Sequence, residues 1–132
     1  ELKQLLPEVD FVTLHVPLND NTRHLIDAEA FTLMRNDAIL INTARGGVVD
    51  EAAMLTALQT DQIAGAYVDV FEEEPLPKDS PLWDAPNLII SPHIADSIAG
   101  WERHFADFFA QNLERWLSGE PLLNVVDVER GY

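Results

Sequence analysis

Three residues of this chain have side chains suited to reducing a carbonyl group that sits beside a carboxylate: Arg45, Glu74 and His93. An arginine offers a planar, two-pronged grip on a carboxylate or phosphate. An imidazole next to a carboxylate is held in one tautomer, and its protonated form is favoured. That lifts it above its ordinary value of about 6.5 and readies it to donate a proton near neutrality. The cation would meanwhile hold an anionic substrate group in register. Taken singly, each has a plainer reading: Arg45 as a surface arginine in a glycine turn, His93 as a satisfied turn residue after Pro92. The chemistry exists only if the fold brings the three together across intervals of 29 and 19 residues.

The elements that must do so are legible. The segment Ile41-Asn42-Thr43-Ala44-Arg45-Gly46-Gly47-Val48-Val49-Asp50-Glu51 reads as a buried strand ending in a tight loop that opens a helix. Strands are expected over 11–15, 38–41, 65–70 and 88–91, as continuous apolar runs of the kind found in parallel strands covered on both faces. Helices are expected over 27–34 and 50–60, each opened by an aspartate suited to N-capping. Strand–helix–strand alternation gives right-handed crossovers and a parallel sheet, an α/β fold. Arg45, Glu74 and His93 then lie beyond three strand ends on the carboxyl edge, where such sheets bind ligands. The acidic, proline-rich stretch 72–86 is a surface connection anchored by Leu82 and Trp83.

Composition narrows the function classes. The chain has 132 residues, 47% of them hydrophobic, enough for one real core. A formal net charge of −15 argues against binding a nucleic-acid backbone, which wants a basic face. With no cysteine, disulfides and thiolate metal sites are excluded, and a reducing, cytoplasmic setting is expected. No histidine pair has ligand spacing on one element, so no metal site is expected. No apolar run approaches the ~18 residues of a membrane span, and no signal-peptide pattern opens the chain.

From 97 to 118 the apolar residues Ile98, Trp101, Phe105, Phe108, Phe109, Leu113, Trp116 and Leu117 recur at a helical period. This reads as one long, aromatic-striped helix that packs on a core or bridges to another domain or chain. Gly119 ends it, and 121–128 leaves as an extended tail. No Gly-x-Gly-x-x-Gly fingerprint of a dinucleotide fold is present, and the chain opens in mid-helix, so a portion of something longer is expected.

The order Leu14-His15-Val16-Pro17-Leu18, Ile41-Asn42-Thr43-Ala44-Arg45-Gly46-Gly47, Asp69-Val70-Phe71-Glu72-Glu73-Glu74-Pro75 and Ser91-Pro92-His93-Ile94-Ala95 resembles the D-isomer-specific 2-hydroxyacid dehydrogenases. The resemblance covers nearly the whole chain, down to Leu122-Leu123-Asn124-Val125-Val126. It implies a partial Rossmann-like parallel sheet, the second half of a dinucleotide-binding domain, over 1–96. A long carboxyl-terminal helix and tail over 97–132 would return towards a substrate domain. It implies NAD or NADP as cofactor and a small 2-oxo or 2-hydroxy acid such as glyoxylate or hydroxypyruvate as substrate. In the family a strand outside this stretch would pair with 11–15, so the stretch is expected to have an open apolar edge, which with the aromatic stripe makes association as a homodimer the expectation.

Residue by residue, Arg45 matches the arginine that holds the substrate carboxylate, His93 the acid/base, and Glu74 the carboxylate that orients it. Asp69 matches the acidic residue facing the nicotinamide amide. Val16, Pro17, Thr43, Ala44 and Ala95 match the cofactor lining, to which Arg45 and His93 also belong. Simple packing is an equal reading of Val16 and Pro17. The motifs give no role to His15, His24 or His104. Asp96 stands where the family usually has a small or aromatic residue, and either adds negative charge near His93 or faces solvent. Formate dehydrogenases carry glutamine where Glu74 stands, so Glu74 argues against them. Cofactor-sensing co-repressors of the same clan keep a similar triad and remain the non-enzyme alternative. The 132-residue stretch alone is expected to lack turnover, because the glycine fingerprint and most of a substrate cleft lie outside it.

Overall fold

The four apolar runs form four parallel strands that lie side by side in chain order: β1 (Phe11–Leu14), β2 (Ile39–Asn42), β3 (Gly65–Val68) and β4 (Leu88–Ile90). In this computed structural model residues 2–129 are described. The chain divides after Ala95 into two compact units. β1, β3 and β4 are shorter than their apolar runs at the carboxyl end, while β2 begins one residue later than expected and takes in Asn42. Ladder bonds still reach past the strand ends, from Asp69 N to the Asn42 carbonyl (3.0 Å) and from Ser91 N to the Val68 carbonyl (3.0 Å).

Helix α1 (Leu2–Leu5) runs into a 3₁₀ turn at Leu6–Glu8. Helices α2 (Ala28–Leu33) and α3 (Glu51–Gln59) supply the two crossovers. Both have the expected aspartate cap: Asp27 accepts from Ala30 N and Asp50 from Ala53 N, satisfying amides the helix itself cannot. Neither is long enough to persist alone in water, so burial must hold them. Ala30 and Phe31 of α2 and Met54, Ala57 and Leu58 of α3 join Leu6, Ile26, Leu40 and Val68 in one core.

Within this unit one face of the sheet is covered. The registers align Val12, Leu40, Ala66 and Leu88, and next Leu14, Asn42, Val68 and Ile90, on one face. That face is the core side. On the other, Phe11 is 62% and Ile89 65% exposed, and Ile39, Ile41 and Tyr67 are half-buried. Both crossovers lie on one side, so the apolar residues of the second face have no helix from this unit over them.

In the second unit the long helix is α4 (Trp101–Leu117). Ser97 and Ile98 fall outside it, because Gly100 adopts φ 81°, a left-handed conformation that a right-handed helix cannot contain. None of its residues is buried, and Trp101 meets Phe105 edge-on at 6.5 Å. The segment after Gly119 does not run free. Arg115 donates through Nε to the Pro121 carbonyl (2.6 Å) and pairs with Glu120 (3.1 Å), and Leu123 N donates to Asn112 Oδ1 (2.8 Å), so the chain folds back along the helix end. Among the described residues no helix is long and apolar enough to cross a membrane.

Candidate active site

The carboxyl ends of β2, β3 and β4 finish level, so the loops after them leave from one edge of the sheet. Asn42 starts the first. It is buried, yet its Nδ2 donates to the Arg45 carbonyl (3.0 Å) and its Oδ1 accepts from Ala44 N (3.1 Å). A buried amide with both ends satisfied fixes the turn. It projects Arg45 into solvent, where Nη1 caps the Ala44 carbonyl (2.6 Å). Gly46 follows, and here glycine is obligatory. A Cβ at this position would stand 1.9 Å from the carbonyl carbon of Phe71 and 2.0 Å from its oxygen. The loop after β2 is therefore pressed onto the backbone of the loop after β3.

That second loop is braced in turn. Glu74 Oε1 accepts from Phe71 N (2.9 Å), closing the turn on itself. Glu51, on the first turn of α3, accepts from Glu72 N (2.7 Å). Burial raises the Glu51 carboxyl above its ordinary value. His24 Nε2 lies 3.0 Å from Glu72 Oε1. The peptide bond between Glu74 and Pro75 is cis.

The third loop carries His93. Its backbone sits at φ 53°, in the left-handed region that non-glycine residues seldom occupy. Asp69 secures it. Buried to 1% exposure, Asp69 accepts at Oδ1 from Ile94 N (3.0 Å) and from the Ser91 hydroxyl, and at Oδ2 from Ala95 N (2.8 Å). Ser91 also shares a hydrogen bond with the Tyr67 hydroxyl (2.7 Å). Burial pushes the Asp69 carboxyl up, but the Ser91, Ile94 and Ala95 hydrogen bonds outweigh it and hold the carboxyl below its ordinary value.

Thus the structure brings the three separate residues together. His93 Nδ1 donates to Glu74 Oε2 at 2.7 Å. The hydrogen bond to Glu74, and then the Glu74 charge, raise the imidazole above its ordinary value. The same bond, with that from Phe71 N, lowers Glu74. Arg45, Glu74 and His93 line one open cavity of about 320 Å³, with Leu18, Arg23 and Phe71 among its other walls. Such an arrangement can bind an anion, hold an imidazolium and deliver its proton.

The remaining sequence candidates are placed as follows. Val16 and Ala44 pack partly against the core, and Pro17 offers its carbonyl to Thr22 Oγ1 (2.6 Å). Thr43 is half-buried at the end of β2, and Ala95 is exposed with its amide on Asp69. His15 pairs with Thr13 Oγ1 (2.8 Å), and His104 donates to the Gly100 carbonyl (3.1 Å). Asp96 is exposed. Sequence reasoning missed Arg23 as a wall of the cavity, and Ser91 and Tyr67 as partners around Asp69. A polar turn gives no hint of what it will face. Only the Ser91-Pro92 pair flanking His93 offered a signal.

The model of the D-isomer specific 2-hydroxyacid dehydrogenase NAD-binding domain matches residues 1–95. A glyoxylate reductase of Korarchaeum cryptofilum is 44% identical over 97% of this chain and 39% of its own length. The chain spans less than half the length of the curated relatives it matches. Among solved structures, a D-isomer specific 2-hydroxyacid dehydrogenase from Xanthobacter autotrophicus Py2 in complex with NADPH and MES superposes with a TM-score of 0.90 at 45% identity, over 99% of this chain and 53% of that one. An NADPH-dependent glyoxylate/hydroxypyruvate reductase from Sinorhizobium meliloti in complex with NADP and sulfate also gives 0.90, at 34% identity over 99% and 42%.

Proposed function

The chain belongs to the D-isomer specific 2-hydroxyacid dehydrogenase family, and from that premise we propose that the full-length protein interconverts small 2-oxo acids and D-2-hydroxy acids with NAD or NADP. The observation that carries this reading is the His93–Glu74 pair at 2.7 Å in the cavity that Arg45 also lines.

Arg45 binds the substrate carboxylate and so fixes the neighbouring carbonyl in position. Glu74 holds the His93 ring by Nδ1, leaving Nε2 to donate a proton to the carbonyl oxygen. Asp69 is a positioning residue: it secures the strained turn on which His93 stands. The residues at the strand ends fit a nicotinamide. Val16, Pro17, Thr43, Ala44 and Ala95 are small and uncharged, and the ring would lie against them. Bound NAD(P)H supplies the hydride. The substrate class, small 2-oxo acids, follows the names of the relatives, and glyoxylate and hydroxypyruvate are the first to test. A homodimer in the cytoplasm completes the reading, the absence of cysteine being in keeping with a reducing compartment.

The test is turnover by the full-length protein with glyoxylate, hydroxypyruvate and pyruvate. NAD(P)H oxidation with at least one of them is expected. His93→Ala should lower kcat by roughly 10²–10⁴-fold while leaving cofactor affinity nearly intact, since the proton is needed chiefly in the transition state. Arg45→Ala should damage both KM and kcat. Cofactor binding without turnover would make the protein a sensor instead, and two variants equal to wild type would overturn the assignment of the triad.

A further inference from the structure

The cavity holds more positive charge than the proposed reaction uses. Both carboxylates on its walls are already matched with an imidazole, Glu74 with His93 (2.7 Å) and Glu72 with His24 (3.0 Å). Its two arginines are not. Among the described residues neither Arg45 nor Arg23 has a carboxylate within ion-pair distance, although the chain carries 23 Asp and Glu against 8 Lys and Arg. Two guanidiniums without an ion pair among the described residues, on the walls of one cavity, offer an anionic ligand two points of attachment.

Arg23 is also placed, not merely nearby. Its turn is tied internally by Thr22 Oγ1 donating to the Pro17 carbonyl (2.6 Å) and by Arg23 N donating to the Asn19 carbonyl (2.9 Å). The next residues are tied across to the Arg45 loop, His24 N to the Gly47 carbonyl (2.8 Å) and Ile26 N to the Val48 carbonyl (3.2 Å). The guanidinium rests over Gly47, its Nη1 3.3 Å from where a Cβ there would stand. Gly47 is two residues from Arg45, so the two cations are held to one loop.

We propose that Arg23 is a second anion-binding residue of this site, and that the preferred substrate is a 2-oxo acid carrying another anionic group at its far end. Arg45 takes the carboxylate beside the carbonyl, and Arg23 takes the distal charge. A site with an unpaired cation at its far end should reject an acid of the same shape whose far end is apolar, because that cation would lose solvation and gain no partner.

This rests on the reading of Arg45 and His93 given above, and the assay separates the two. Oxaloacetate and 4-methyl-2-oxopentanoate share a shape and differ in the second carboxylate; glyoxylate serves as the small reference. With the full-length protein, kcat/KM for oxaloacetate should exceed that for the isostere. Arg23→Gln should lower it roughly 10- to 100-fold, the loss expected of one charge-assisted pair, and change the isostere and glyoxylate by no more than about twofold. Arg23→Lys should restore much of the loss. Equal losses on all three acids, a raised KM for NADPH, or no preference for the dianion would overturn the role of Arg23 while leaving the reductase reading intact. No turnover of any of the three would overturn both.

Discussion

His93 owes its proton affinity first to the hydrogen bond it gives Glu74 and then to the Glu74 and Asp69 charges, with burial and Arg45 opposing. The sign of the pH effect follows. A raised value means the proton donor survives to higher pH, so kcat/KM for reduction should be level in acid and fall as pH rises through a value above ~6.5. Glu74→Gln removes the charge and weakens the bond, and the falling limb should move to lower pH. A pH–rate profile of the two proteins checks this; coincident limbs would mean that Glu74 does not tune His93. At this scale the sequence was informative where chemistry sets residue type. A cation, an acid and an imidazole had to come from somewhere, and the motifs marked them. What it could not disclose was partnership: that Asp69 would spend its carboxylate on Ser91 and two backbone amides, or that Arg23 would face the same space as Arg45.

At the scale of elements, the site is three loops locked edge to edge, and Gly46 is the tightest point of contact. Gly46→Ala must force the loop after β2 away from Phe71, because the obstruction is backbone and cannot rotate aside. A destabilisation of about 1–3 kcal/mol or more is expected, as for overpacking elsewhere, together with a loss of activity as Arg45 shifts. Gly47→Ala is the natural comparison, since its Cβ would meet side-chain ends of Leu18 and Arg23 at 3.1–3.3 Å. Urea denaturation should rank the first substitution well above the second; equal effects would show that the loops yield. The apolar runs, the two aspartate caps and the glycine pair made these elements legible. Their limits were less so. Periodicity carried the last helix back to Ser97, but the left-handed Gly100 stops it at Trp101.

The whole molecule differs most from its sequence in what it leaves uncovered. Continuous apolar strands imply two dry faces, yet one face of the sheet is open at Phe11 and Ile89, and α4 buries none of its residues. Apolar composition reports that a surface will be covered, not by which chain. The exposed aromatic stripe of α4 favours association, so sedimentation equilibrium of the full-length protein at moderate salt should find a species heavier than a monomer. A single monomer mass across micromolar concentrations would refute the dimer. The left-handed backbone of His93 sets folding and chemistry against each other. Glycine would fit that φ at no steric cost, whereas a histidine there costs of order 1–3 kcal/mol. The molecule thus gives up some of its own stability to keep an imidazole where a proton is wanted. Anyone choosing substitutions by backbone fit alone would turn to position 93 early, and would leave the cavity without its acid.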